Sequence, residues 1–253
     1  MNLFKRAGIW FSVSLSFLFS FFGSKKKILT AEETVQLVKN SKSLIRFGDG
    51  EFGIFKKKNI HYQDWSESLL KDFEEIKTQF ETDENCPYIL AVPKRFMQVN
   101  GFKLMKKRVY VSSWAQARLD FMRNYSNKVT YADAFLLEKK NKEIYSELFD
   151  NTTPKNVIFV HNNEVYAKYF ADTYNKNVIF VKCPSKNAYD SVLDIESEIS
   201  AKIQENGFLK DDVTLVISAG PAGKVLVYKF AHKGYHSIDA GHCWDEPLED
   251  INA

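Results

Sequence analysis

From Asn156 to Asp239 the chain alternates short apolar runs with longer amphipathic stretches, and few folds accept that pattern. Residues 157–160, 178–181, 213–218 and 236–239 read as strands. Residues 164–174, 189–204 and 222–232 read as the helices that separate them. Strands alternating with helices of this length form βαβ units, which build a parallel sheet. Runs such as Val-Ile-Phe-Val carry no polar alternation, which suits strands covered on both faces.

The first half continues the same architecture. Thr30-Ala31-Glu32-Glu33 is a capping box, with Thr at the N-cap and Glu three residues on, and it opens a helix to about Lys39. Residues 43–47 and 88–92 read as buried strands, and 129–131 as a short one. Residues 64–80 have Trp65, Leu69, Leu70, Phe73, Ile76 and Phe80 at helical spacing. Residues 113–125 and 142–149 are further helices, whereas 53–63 and 94–112 have no clear pattern. The expected fold is therefore α/β, a Rossmann-like, mostly parallel sheet with helices on both faces. An N-terminal hydrophobic helix is added to it, with segments 1–27 and 28–253 as the two parts.

The strand at 43–47 breaks at once into Gly48-Asp49-Gly50-Glu51. In extended geometry residues i and i+2 point to the same side, so Asp49 and Glu51 are expected to project together from a strand's C-terminal end. Open α/β sheets place ligands there. Two oxygen ligands with open positions beside them suit a hard divalent cation that bridges to phosphate. Gly-Asp-Gly is equally an ordinary turn with solvated acids.

Other strand ends carry candidates of their own. Ala219-Gly220-Pro221-Ala222-Gly223-Lys224 resembles a phosphate-cradling turn at a helix start, with Pro221 at the first helical position. It is neither a Walker A loop nor Gly-x-Gly-x-x-Gly, and a plain helix start with no ligand accounts for it equally well. Lys186 and Asn187 follow another strand; Lys186 can neutralise phosphate and Asn187 can bond a sugar or base, or Asn187 or Ser185 simply caps the next helix. His242, between Gly241 and two acids, is open to three readings: a metal ligand, a general base, or neither, as is usual for a lone His in a C-terminal segment. His161-Asn162-Asn163 reads chiefly as a turn and cap. No nucleophile elbow or His-Glu-x-x-His occurs, so covalent catalysis has no support.

Charge and cysteine content exclude some classes. A formal net charge of +3 on 253 residues makes no case for nucleic acid. Three cysteines without a Cys-x-x-Cys spacing argue against a disulfide framework or structural zinc and favour a reducing, cytoplasmic setting. At the N-terminus, Lys5 and Arg6 precede an apolar run, residues 7–23, and Lys25-Lys26-Lys27 follow it. Three readings are open: an interfacial helix or short membrane anchor, a signal peptide lacking an Ala-x-Ala-like site, or a helix packed on its own domain. The first would make the protein peripheral or N-terminally anchored at a membrane.

Arg46-Phe47-Gly48-Asp49-Gly50-Glu51 resembles the signature of the GT-D type glycosyltransferases. Lys186-Asn187-Ala188-Tyr189 and the segments from Ala219 through Leu226 and from Gly234 to His242 are similar to further family segments. Asp133-Ala134-Phe135 matches loosely, because an arginine expected soon after is replaced by Leu136-Leu137-Glu138. The resemblance implies transfer of a sugar from a nucleotide-diphosphate sugar, expected to be a UDP-sugar, to a hydroxyl of a glycan or lipid-linked glycan in cell-surface polysaccharide or glycoprotein synthesis. It implies Mn²⁺ or Mg²⁺ on Asp49 and Glu51, and a donor site of Arg46, Gly48, Gly50, Lys186, Asn187, Gly220 and Lys224. Asp49, Glu51 and His242 would be the catalytic set. Arg46 either contacts a phosphate or pairs with an acid. The rival readings are a metal-dependent phosphohydrolase and a non-catalytic nucleotide-binding or scaffold subunit.

Overall fold

The computed structural model of the chain describes residues 3–40, 42–106, 111–138 and 141–241. One seven-stranded parallel sheet organises it: β1 Ser43–Arg46, β2 Tyr88–Val92, β3 Ala132–Asp133, β4 Asn156–His161, β5 Asn177–Lys182, β6 Val213–Ile217 and β7 His236–Asp239. The order across the sheet is β3-β2-β1-β7-β6-β4-β5. Every pairing is parallel, and β1 meets β7 at Leu44 and Ile238. Strands β2 and β6 are buried along their whole length, as apolar runs without alternation require.

The helices are α1 Leu3–Phe19, α2 Ala31–Lys39, α3 Asp49–Ile54, α4 Glu67–Thr82, α5 Lys94–Met97, α6 Gly101–Met105, α7 Val111–Asn124, α8 Lys142–Tyr145, α9 Glu164–Tyr174, α10 Val192–Glu205 and α11 Gly220–His232. On one side of the sheet α11 packs with α4 and α10. Helix α2 packs with α8 and the 3-10 turn Ser146–Phe149, and Phe149 of that turn stacks edge-on against Phe170 of α9 at 5.0 Å. From β1 the chain runs to β2 on one side, while β7 is reached from β6 on the other. The chain therefore diverges between β1 and β7, which opens a crevice above the C-terminal ends of the sheet.

Several boundaries differ from the sequence reading, each for a local reason. The capping box of α2 is formed as read, with Thr30 accepting from the Glu33 N–H and Glu33 accepting from the Thr30 N–H. Helix α4 starts three residues later than expected, because Ser66 caps it by accepting the Leu69 N–H at 3.2 Å. Asp64 and Trp65 remain in the preceding loop. The strand expected at 129–131 lies at β3 instead; Tyr131 is drawn into the core, its hydroxyl on Glu81 at 2.9 Å and its ring against Phe80 and Phe121. Helix α10 is preceded by a 3-10 turn, Ala188–Ser191, because Asn187 adopts a left-handed conformation at φ +50°. Helix α11 begins at Gly220, so Pro221 is its second residue rather than its first.

Helix α1 lies against α7 and the α5–α6 corner rather than apart from the domain. Ser16 and Ser20 face inward and are buried with Val13, while the exposed Ser12 accepts from Gln116 of α7 at 3.2 Å. The guanidinium of Arg118, 1% exposed, donates to the Ser20 carbonyl at the end of α1 and to the Phe96 carbonyl of α5 at 3.1 Å. No helix among the described residues is long and apolar enough to cross a membrane. Burial brings the Arg118 pKa down to about 10, so the group stays charged at neutral pH and acts as a buried cationic clamp. Arg118→Met takes the guanidinium from both carbonyls, leaving the Ser20 carbonyl with the Gly23 N–H at 2.9 Å and the Phe96 carbonyl without its side-chain donor. It should lower stability in urea by roughly 2–3 kcal/mol, and limited proteolysis should cut first in the α1–α2 connection.

Candidate functional site

The site begins where β1 ends. The acidic pair does not leave the strand in extended form. Gly48 is the last extended residue, at φ −95°, ψ −168°, and α3 opens at Asp49. Glu51, three residues after Gly48, accepts its N–H at 2.7 Å and so caps the new helix. Acidic residues in a first turn also favour the helix dipole. On a helix, residues i and i+2 are separated by roughly 200°. The two acids therefore part: Asp49 is exposed at the cavity, and Glu51 turns inward, 4% exposed.

Glu51 meets a buried ionic cluster. Lys224 of α11, 5% exposed, sets its ammonium 3.3 Å from Glu51 Oε1 and 3.2 Å from Asp239 Oδ2 at the end of β7. Asp239 Oδ2 also accepts the backbone N–H of Arg46 at 3.1 Å, with Arg46 Nε 3.8 Å away. Arg46 Nη1 donates to the Ala134 carbonyl at 3.0 Å. Its guanidinium lies so close to Gly241, at φ +54°, that an added Cβ there would collide with Nη2. Of the two roles open to Arg46, the structure gives the acid partner. Burial alone would lower the Lys224 pKa, but Asp239 and Glu51 outweigh it and raise it, so this lysine is a fixed cation. Its ammonium is engaged by two carboxylates at the wall of the cavity.

These groups border one cavity of about 320 Å³ at the C-terminal ends of the strands. Arg46, Gly48, Asp49, Gly50 and Glu51 line it after β1, and Ser218, Ala219, Gly220 and Lys224 after β6. Helix α11 starts at the cavity wall, where its first N–H groups have no intrahelical acceptor. Of the expected donor set, Lys186 is exposed and outside the lining. Asn187 is outside it too, because it has another task. It donates its N–H to the Tyr62 carbonyl at 2.9 Å, accepts the Asp64 N–H at 2.8 Å and donates to the Asp64 carboxylate at 3.1 Å. With Gln63 accepting the Tyr189 N–H at 3.1 Å, this clasp fixes the 60–64 loop over the site. His242 lies outside the described residues.

The clasp delivers a residue the sequence reading passed over. Tyr62 lines the cavity, with its ring 3.0 Å from where a Gly220 Cβ would stand and its hydroxyl 3.6 Å from a Gly50 Cβ. Burial, then the Glu51 charge, pushes its pKa up to about 12, so the phenol remains a donor. Nothing local marked Tyr62, since it sits in a stretch without periodicity. His161 and Asn162 also line the cavity. His161 Nδ1 accepts the Asn163 N–H at 3.0 Å, and Asn163 caps α9 as read. The Ser218 hydroxyl is buried without a hydrogen-bond partner. Asp239 was the other omission, although an acid closing a buried strand is itself a signal that a cation must meet it.

Asp49 has its pKa raised, first by desolvation and then by the neighbouring Glu51 charge. A cation between them would relieve that repulsion. Glu51 Oε1 is buried with no hydrogen bond, facing only the Lys224 ammonium. No group of three or more His, Cys, Asp or Glu converges among the described residues. The donor set thus fits an ion held by one or two carboxylates and completed by water and phosphate, the habit of Mg²⁺ and Mn²⁺, and not a closed all-protein cage.

The chain is 25% identical over 230 residues to the glycosyltransferase GlyD of Streptococcus pneumoniae, covering 83% of this chain and 26% of that protein. It is 21% identical to a probable glycosyl transferase, Gly, of Streptococcus gordonii, covering 85% of this chain and 32% of that one. It therefore spans only about a quarter to a third of the curated relatives it matches. A solved structure of the domain of unknown function 1792, described as a distinct glycosyltransferase fold, superposes with a TM-score of 0.74 at 23% identity, covering 94% of this chain and 86% of that one. A glycosyltransferase of the same domain type from Streptococcus sanguinis superposes with a TM-score of 0.63 at 20% identity, over 90% of this chain and 86% of its own. The family model for the glycosyltransferase GT-D fold matches residues 44–247, from the second residue of β1 to beyond β7. A parallel sheet whose first strand delivers Asp49 and Glu51 to a crevice walled by the start of α11 is what those residues encode, and the chain belongs to the glycosyltransferase GT-D fold family.

Proposed function

We propose that this chain transfers a sugar from a nucleotide-diphosphate sugar, in the first instance a UDP-sugar, to a hydroxyl of a glycan or lipid-linked glycan acceptor. Such a reaction would serve cell-surface polysaccharide or glycoprotein glycan synthesis, on the cytoplasmic side. The observation that carries the reading is one cavity bordered by an exposed carboxylate, Asp49, and by the N-terminus of α11 at Gly220. Negative charge develops on the departing nucleoside diphosphate, and fixed donors aimed at it lower the barrier. Backbone N–H groups of α11 and the Tyr62 phenol are such donors. A bound Mn²⁺ or Mg²⁺ supplies further positive charge to the diphosphate. Asp49 would be its main ligand, with Oε1 of Glu51 behind it. Lys224 is a positioning residue, which neutralises Glu51 and Asp239 and keeps the first turn of α3 in place.

The decisive measurement is a thermal-shift panel of nucleotide sugars with and without Mn²⁺, followed by turnover of the stabilising donor with and without a glycan acceptor. Metal-dependent stabilisation by one donor is expected, because a ligand of the native state raises its apparent stability. Sugar release that needs no acceptor would point to a hydrolase. Donor binding without turnover under any acceptor would point to a scaffold.

Asp49→Asn should abolish metal-dependent donor stabilisation while leaving the unliganded fold intact or slightly firmer at pH 7. The sign follows from the raised pKa: between the unfolded and folded values the native state holds the extra proton, so stability falls as pH rises through that window. The difference in Tm between Asp49→Asn and wild type should therefore vanish below about pH 4, near the ordinary carboxylate value.

Lys224→Met removes the ammonium from two buried carboxylates, leaving Glu51 with the Gly48 N–H and Asp239 with Arg46. Urea denaturation at pH 7 should show a loss of roughly 3–5 kcal/mol. Adding Glu51→Gln should restore part of it, and equal loss in the single and double variants would mean that the pair is not coupled.

Tyr62→Phe removes a donor and keeps the ring. Apparent donor affinity should weaken roughly tenfold, the scale of a hydrogen bond to a charged group. Unchanged donor affinity would remove Tyr62 from the site.

A further inference from the structure

The way α1 sits on the domain reverses the usual arrangement of an amphipathic helix. Its small polar positions, Ser16 and Ser20, are buried against the protein with Val13. Its large apolar positions face outward: Trp10 is 66% exposed, Phe11 67%, Leu18 64% and Phe19 61%. Phe22 just beyond is 84% exposed. Helix α6 extends the same face with Phe102 and Met105, 69% and 52% exposed, and Phe21 joins the two helices by packing edge-on to Phe102 at 4.9 Å. A shallow apolar groove of about 420 Å³ runs between them, bordered by Trp10, Phe17, Leu18, Met105 and Val111. Singly scattered apolar residues need no explanation, but a contiguous face of aromatic side chains does.

We infer that α1 and α6 together form a platform that seats the protein flat on an anionic lipid surface. The charge around the face names the occupant. Lys25, Lys27, Lys103 and Lys106 are exposed in the segments that carry it, and residues 8–27 and 101–106 contain no Asp or Glu. A second copy of the chain would bring the same lysines into opposition, whereas anionic headgroups pair with them while the aromatic side chains enter the acyl boundary. The helix is also not free to swing away or to insert end-on. Arg118 ties its last carbonyl to α5, the Gly101 N–H donates to the Phe21 carbonyl at 2.6 Å, and an added Cβ on Gly101 would run into the Phe21 ring. As a helix of 17 residues it spans about 26 Å, less than a hydrocarbon core of about 30 Å. Gln116, which bonds Ser12 of α1, also accepts from Lys56 and Lys58 just after α3, so the platform is braced against the segment that carries Asp49. This inference goes beyond the catalytic reading and does not rest on it.

Co-sedimentation of the full chain with vesicles tests it, using phosphatidylcholine alone and phosphatidylcholine with phosphatidylglycerol, each at low and high salt. Binding is expected to the anionic vesicles and to weaken with salt. Lys103→Glu with Lys106→Glu, both on exposed side chains, should reduce binding by at least about tenfold. Phe11→Ser with Leu18→Ser and Phe22→Ser should reduce it by a similar factor at unchanged Tm. Absence of binding to either vesicle, or equal binding to both, overturns the inference. So does a dimer in sedimentation velocity that the aromatic substitutions dissociate while vesicle binding persists.

Discussion

The structure depends most on four buried or half-buried charges that neutralise one another: Arg46, Glu51, Lys224 and Asp239. They come from β1, the start of α3, α11 and the end of β7, and so they join the two halves of the sheet where the chain diverges. A buried charge without a partner is strongly unfavourable, and a set that balances internally removes that penalty only if every member keeps its place. Glu51 is held twice, by the Gly48 N–H and by Lys224. The consequence for chemistry is a division of labour between the two acids. Glu51 belongs to the scaffold first and to a ligand second, while Asp49, outside the network, faces the cavity.

Two close approaches give the cavity its shape. Arg46 lies where a side chain at position 241 would stand, and the Tyr62 ring lies against position 220. Both positions are glycines with positive φ, which serves a left-handed turn and a close contact at once. Tyr62 reaches its place because Asn187 and Gln63 lock the 60–64 loop to the segment after β5. Residues far apart in the chain thus form a single wall, and the loops after the strands converge on the same end of the sheet.

The N-terminal helix follows the opposite logic from the core. A soluble helix normally buries its apolar stripe. Helix α1 instead buries small polar residues, which allow close approach to α7, and leaves its aromatic face outward. Arg118 makes this orientation stable by satisfying the carbonyls where α1 and α5 end.

The sequence by itself determined the parallel sheet, because strands covered on both faces appear as unbroken apolar runs and the helices between them as a 3.6-residue period. It also located Gly48-Asp49-Gly50-Glu51 at a strand's end and the glycine turn before α11, since both follow from local backbone preference. It did not disclose that α3 begins at Asp49, because Gly-Asp-Gly reads as a turn and only the Gly48–Glu51 bond and the packing of Phe52 and Ile54 make it helical. The family resemblance placed Lys224 and Asn187 in a donor site; it did not disclose that Lys224 pairs with Glu51 and Asp239 at the cavity wall or that Asn187 is held by Asp64 and Tyr62. Periodicity and turn chemistry act between near neighbours and can be read along the chain. The partner of a buried charge or amide is chosen by the folded topology, which alone brings such distant residues within bonding distance.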